Sequence, residues 1–424
     1  MRHAALAGLL CASAACTGGH DAVPTLRWYA NPDNGGQARL AARCEAAAGG
    51  RFRIRLEELP RDATGQREQL VRRLAAHDAS IDLLSLDPPF LPELAEAGFL
   101  RAFAPAEAAP LEEGTLEGPL TSARWRGRLY GAPFTANAQV LWFRRSAAAR
   151  AGLDAAVLAP LTWDAIVLAA ERSGTTVAVQ GRLYEGYTVW LSALVASGGG
   201  AVLEHPEAGR EARPRFDSSP GREAARIVSR VARSPAAMPG LSTADEEATR
   251  AAFLGPRGGF MVNWPYVWRA ASEAVRAGAL DPAVLADVGW ARWPRVRADL
   301  PSRPPLGGIH LAVGAFSRHP AEAVEAVRCL TSAASQVAYM LDAGNPAARG
   351  AAYDDPAVRA AYPMAELLRE SVREAAPRPQ TPFYPDVSAA AARAFHPPGK
   401  VTPEETPAAA DRLIDDVLHD RVLL

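Results

Sequence analysis

The chain has 424 residues, with 46 Lys and Arg against 47 Asp and Glu, for a formal net charge of −1 at pH 7. That balance, without a long run of either sign, excludes the basic footprint of a nucleic-acid partner. The length exceeds what one hydrophobic core normally supports, so two domains are expected.

Met1-Arg2-His3 places positive charge ahead of an apolar run from Ala4 to Ala15, which ends at small residues in Ser13-Ala14-Ala15-Cys16. This is the pattern of a bacterial export signal, residues 1–16. A cysteine as first mature residue adds lipidation, so Cys16 is expected to tether the chain to the outer face of the cell membrane. Ser13 departs from the Leu, Val or Ile usual at that position, and an ordinary secretory signal with an incidental cysteine is the alternative. No later apolar run approaches the roughly 18 residues of a membrane span, so contact with the membrane is expected through the lipid anchor only.

Leu26-Arg27-Trp28-Tyr29 reads as a strand, residues 31–36 as a turn, and Gln37 to Ala48 as an Ala-rich helix carrying Cys44. Phe52 to Leu56 alternates apolar and charged residues as a second strand. Gln66 to His77 repeats Leu70, Val71 and Leu74 at helical spacing, and Ile81 to Leu86 is a buried strand. The alternation is that of a doubly wound α/β sheet. Asp87 follows the third strand at its carboxyl end, where open parallel sheets bind ligands.

Leu129 to Phe143 is long, apolar and extended, as expected of a strand that passes from one domain into another. A second α/β region follows, with a helix over Trp163 to Arg172, a strand over Thr176 to Val179 and a helix over Trp190 to Ser197. Its later part holds Glu246, Glu247 and the run Gly258 to Trp268. Gly307 to Val313 reads as a strand leading into a helix, Ala321 to Ala334, that bears Cys329.

Cys11 lies within the signal and Cys16 at its end, which leaves Cys44 and Cys329. Two thiols in an oxidising compartment are expected to pair, with two unpaired buried thiols as the alternative. Closing so long a loop is worth about 4–5 kcal/mol in the chain-entropy model. The pairing returns the chain to its first domain. The expected division is 25–136 with 309–345 as one lobe and 137–308 with 346–424 as the other, joined by several strands that form a hinge.

The sequence holds no GxxxxGK[ST], GxSxG or HExxH, and no GxGxxG between strand and helix. Its eight histidines have no ligand spacing, so neither metal nor cofactor is expected. Asp87 with Glu246 or Glu247 is a possible carboxylate pair for glycoside hydrolysis. Aromatic rings suit the C–H faces of a sugar, while Asp, Glu, Asn and Arg suit its hydroxyls. Trp264 and Tyr266 beside Asn263 fit that need. Plainer readings stand beside each residue: Trp264 and Trp268 as a helix core, Asp87 as a helix cap, Asn137 as a backbone partner, Arg378 as a solvated charge.

The leader, the Leu129 to Phe143 segment, the Gly-Gly-x-x-x-Asn-Trp-Pro stretch and the Gly307-Gly308-Ile309 strand together resemble extracellular solute-binding proteins of sugar ABC transporters. Further similarities, to the family's trehalose-recycling lipoproteins, are Leu-Pro-Arg before a Gln-Arg helix, Glu-Glu ahead of Val-Asn-Trp-Pro, Ala-Val-Arg-Cys-Leu and Arg-Pro-x-Thr-Pro. The resemblance covers nearly the whole chain and implies a two-lobed, periplasmic-binding-protein-like fold of type II. It implies a carrier that delivers trehalose or a related disaccharide to ABC permease subunits, without catalysis. It further implies that Asp87, Asn137 and Arg378 fix hydroxyl positions, Trp264 stacks on a ring, and Glu247 adds an acceptor from the opposite lobe. Asp33 or Asn34, Gln66 and Gly308 are second-tier contacts. The loop at residues 31–36 and the shorter stretch between Trp293 and Pro305 depart from the family pattern at the positions that would select the disaccharide. An exported hydrolase using Asp87 and Glu247, or a carrier of peptides or glycerophosphodiesters anchored on Arg378, are the alternatives.

Overall fold

Along the Thr25–Ala30 strand, Leu26, Trp28 and Ala30 face one core while Tyr29 faces another. Leu83 is divided from Leu84 and Leu86 in the same way, as are Leu311 and Val313 from Ala312. Side chains alternate across a strand, so a sheet covered on both faces needs apolar residues at successive positions. That is why Leu83 and Leu84 stand at successive positions within residues 81–86, where Asp82 and Ser85 are the polar members and both are buried.

The computed structural model describes residues 23–154 and 161–424; Cys16 and the rest of the leader lie outside the described residues. The first sheet runs Arg53–Glu58, Thr25–Ala30, Leu83–Leu86, Leu306–Gly314, with Leu100–Arg101 and Gly131–Ala138 both pairing the far side of Leu306–Gly314. The first three strands are parallel, as the alternation of elements predicts. Leu306–Gly314 is antiparallel to Leu83–Leu86. The sheet is therefore mixed rather than purely doubly wound, because this interior strand arrives from the other lobe and not through a local helical crossover.

The second sheet runs Val288–Ala291, Val140–Arg144, Gly258–Asn263, Thr176–Ala178. Its core is rich in aromatics: Trp163 packs against Trp190 and Trp293 with ring centroids 5.5 and 5.2 Å apart. Local signals position the helices that cover it. Thr162 accepts a hydrogen bond from the Ala165 amide to start Trp163–Ser173, and Gly174 ends that helix in the left-handed region.

The segment read as one long strand is two. Gly131–Ala138 belongs to the first sheet, Val140–Arg144 to the second, and Gln139 alone lies between them, fully buried and hydrogen-bonded to Gln180. The chain returns at Leu306 and leaves again at Pro346, whose carbonyl accepts from the Ala136 amide at 3.0 Å. The Leu306 amide in turn donates to Ala376 at 2.9 Å. The crossing segments thus lie side by side between the lobes, an arrangement that permits hinged closure. Cys44, on the Gly36–Ala47 helix, and Cys329, on Pro320–Leu330, form a disulfide across 285 residues, with Cα atoms 5.8 Å apart. Among the described residues, no helix is long and apolar enough to cross a membrane.

Candidate functional site

Between the lobes lies a cleft of about 580 Å³. Four helices start at its walls among the described residues, Ala63–Ala75, Glu185–Ser197, Glu246–Leu254 and Tyr266–Arg276. Helix N-termini carry partial positive charge, which favours the acidic residues gathered there. Asp245 caps Glu246–Leu254, accepting from Ala248 at 3.0 Å, so Glu246 and Glu247 occupy its first turn and face the cleft.

Asp87, Asn137, Glu247, Trp264, Arg378, Gln66, Gly308 and Tyr266 all line this space. Asp33 and Asn34 do not. The Asp33 carboxylate instead accepts from the Gly35 and Gln37 amides at 2.9 and 2.8 Å, satisfying the start of its own helix, and Asn34 is exposed. Asn31 takes their place in the wall, held by its amide donating to Gln66 at 2.8 Å, while Gln66 donates to the Pro60 carbonyl.

Arg378 is 3% exposed, so it is not a solvated charge, and both of its terminal nitrogens are engaged by carboxylates. Its Nη1 donates to Asp87 at 3.0 Å and to Glu185 at 2.6 Å, and its Nη2 donates to the other Asp87 oxygen. Tyr384 donates its hydroxyl to Glu185. Burial opposes the Arg378 charge, but the carboxylates of Asp87 and Glu185 outweigh it and raise its pKa. Asp87 makes no capping hydrogen bond to the helical turn after it, so the plainer reading of that residue fails.

Trp264 precedes the Tyr266–Arg276 helix rather than lying within it, and its ring lies close against Gly307 of the returning strand, where a Cβ would stand 2.8 Å from Cη2. Trp268 faces elsewhere, edge-on to Trp290 and bonded to the Ala361 carbonyl. Asn263 is also structural: fully buried, it donates to Glu246 and Thr249 and accepts from the Trp264 amide. Asn137 keeps a buried side-chain oxygen without a protein partner. Gly308 has φ +131°, and a Cβ there would stand 2.3 Å from the Thr135 carbonyl oxygen, so only glycine fits this part of the wall.

The carboxylates differ in state. Burial raises the Glu246 carboxyl, helped by Glu185 and Asp245 nearby. Burial pushes Glu247 the same way, but hydrogen bonds from Arg250 and Tyr266 hold it below the usual range. Among the described residues, no group of His, Cys, Asp or Glu is disposed to hold a metal ion. The sequence reading missed Arg182, Tyr184 and Glu185, which enter the cleft because the helix read from Trp190 begins at Glu185, and Asp245, which enters as the cap of Glu246–Leu254. The usable signal was Asp245, a capping residue directly before Glu246-Glu247.

A two-lobed α/β chain with hinge strands and a polar, aromatic cleft has the architecture of a protein that closes on a small solute. The family described as bacterial extracellular solute-binding protein matches residues 54–337, more than half of the chain, and the protein belongs to that family. A curated relative, a probable ABC transporter-binding protein of Deinococcus radiodurans, is 27% identical over 265 residues, which span 60% of this chain and 60% of the relative. Among solved structures, maltose-bound MalE3 of T. maritima superposes with a TM-score of 0.79 at 24% identity, covering 94% of this chain and 100% of the other. A solute-binding protein of an ABC transporter from Thermotoga lettingae, bound with alpha-D-tagatose, gives 0.77 at 20% identity, with 93% and 100% covered.

Proposed function

We propose that the chain is the substrate-binding lipoprotein of an ABC importer and carries a small carbohydrate, trehalose first among disaccharides, to permease subunits. Lipidated Cys16 would hold it outside the cell membrane, with lobes 25–136 plus 309–345 and 137–308 plus 346–424 closing on the sugar. The observation that supports this reading most is the Trp264 ring set against Gly307 in a cleft that also presents the polar side chains of Asn31, Gln66, Asn137 and Glu247. An aromatic face among acceptors and donors suits a sugar ring and its hydroxyls. Asn137, Gln66, Tyr266 and Glu247 would meet hydroxyls directly, and the free oxygen of Asn137 awaits such a donor. Asp87 would add its remaining acceptor capacity while Arg378 holds it in place. Membership of a solute-binding family, and a maltose-bound structural relative, favour the same reading. Hydrolysis is disfavoured because the Asp87 carboxylate is bound by Arg378 and that of Glu247 by Arg250 and Tyr266.

The test is a thermal-shift screen of the chain begun after Cys16, against trehalose, maltose, sucrose, glucose and glycerophosphocholine. A ligand at about a hundred times its Kd adds roughly 2.7 kcal/mol of stability, which raises the midpoint by degrees. A shift with trehalose is expected. No shift with any sugar overturns the carbohydrate assignment.

A further inference from the structure

A second chamber, of about 190 Å³, lies beside the main cleft. Thr64, Tyr184 and Glu185 line both spaces, so the wall between them is built from these three residues. Thr64 is short, and the Glu185 carboxylate is committed to Arg378 and Tyr384. The substantial part of the wall is the Tyr184 ring.

That ring is held by contacts specific to its position. The Arg182 guanidinium lies over it, 4.4 Å from the ring centroid. The ring also approaches Gly186, where a Cβ would stand 2.3 Å from the tyrosine Cζ and Oη. Glycine at 186 is therefore what lets the ring fold back over the start of the Glu185–Ser197 helix. Beyond the ring, Phe90, Pro385, Ala389 and Ala392 offer apolar walls that suit the C–H face of a sugar ring, and Arg393 adds a hydrogen-bond donor, while the Ser388 hydroxyl is already donated to Thr188 at 3.0 Å.

We infer that the Tyr184 ring is the partition that fixes ligand length, confining the ligand to the main cleft and closing off a chamber with room for one further sugar ring. This rests on the carbohydrate reading above. The side chain thereby acts as a specificity determinant by exclusion, rejecting longer saccharides sterically rather than by recognising shorter ones.

The experiment is titration calorimetry of the wild-type chain, Tyr184→Ala, Tyr184→Leu and Tyr184→Phe with trehalose, maltose, and each of these extended by one glucose, α-maltosyl glucoside and maltotriose. In the wild type the trisaccharide is expected to bind about tenfold or more weakly than its disaccharide. Tyr184→Ala and Tyr184→Leu are expected to erase most of that difference, the second variant guarding against misfolding of the first. Tyr184→Phe keeps the ring and is expected to keep the ratio, whatever the absolute affinities. A wild type that binds both lengths equally, or truncations that leave the ratio unchanged while disaccharide still binds, overturns the partition alone. A wild type that binds none of the four sugars overturns the carbohydrate reading together with it.

Discussion

Asp87 and Glu185 reach the same guanidinium from opposite lobes: Asp87 ends the Leu83–Leu86 strand of the first sheet, Glu185 opens a helix packed in the second core, and Arg378 binds both. Removing one member of a buried ionic cluster costs far more than the cluster contributes, because the others are left charged and unpaired. Arg378→Met is therefore expected to lower unfolding stability by about 3–5 kcal/mol. Urea unfolding of both chains measures it. A change below about 1 kcal/mol would mean that water reaches the two carboxylates in solution.

For Trp264 the expected effect falls on binding. Trp264→Ala is expected to weaken binding of the sugar found in the screen by about tenfold or more while the far-UV circular dichroism spectrum stays unchanged. Wild-type affinity in the variant would assign the ring to packing.

Gly307 offers an independent check on the same ring. A Cβ at this position would stand 2.8 Å from Trp264 Cη2, so Gly307→Ala has to push the indole aside. Affinity should fall several-fold, with a shift in tryptophan emission. Unchanged affinity and emission would show that the ring is not pinned there.

His310, on the interior strand of the first sheet, is buried and bonded to the Ser122 hydroxyl at 3.0 Å, and burial holds its pKa down at about 3 against an ordinary 6.5. The unfolded chain binds a proton at this residue below pH 6.5 and the folded chain does not until about pH 3, so the native state loses stability as pH falls across that window. The slope from this one group is about 1.4 kcal/mol per pH unit. His310→Gln should flatten stability between pH 6.5 and 5 by about that slope. Parallel profiles for the two chains would place the histidine in contact with water.

Reducing Cys44–Cys329 opens a loop spanning 285 residues. The chain-entropy model gives a loss of about 5 kcal/mol, read as a lower urea midpoint with dithiothreitol. Counting thiols in the denatured, unreduced chain should find neither of these two reactive; finding both would remove the bond.

The strands were readable because burial on both faces forces apolar residues at consecutive positions, as at Leu83 and Leu84, and the place of Asp87 followed from the end of that strand. Trp264 was readable as an aromatic beside a proline. Tyr184 and Glu185 were not, because Tyr184-Glu185-Gly186 shows no apolar period to mark where the helix begins. The state of Arg378 was hidden for a different reason. Its partners lie 291 and 193 residues away, and no local pattern reports an ion pair made by the fold. In the loop at residues 31–36 the sequence pointed to Asp33 or Asn34, but the start of the following helix takes the Asp33 carboxylate and it is Asn31 that lines the cleft, a choice no local pattern reports.

The late arrival of Leu306–Gly314 bears on how such a chain is made. The first sheet cannot join Leu83–Leu86 to Gly131–Ala138 until residue 306 and beyond have emerged. Some three hundred residues are synthesised before the amino-terminal half acquires its missing middle. Pairings that distant in sequence form slowly. A first sheet built this way stays open, and its segment threadable through a translocation pore, for most of the chain's synthesis, and it becomes rigid only when the strand from Leu306 joins it.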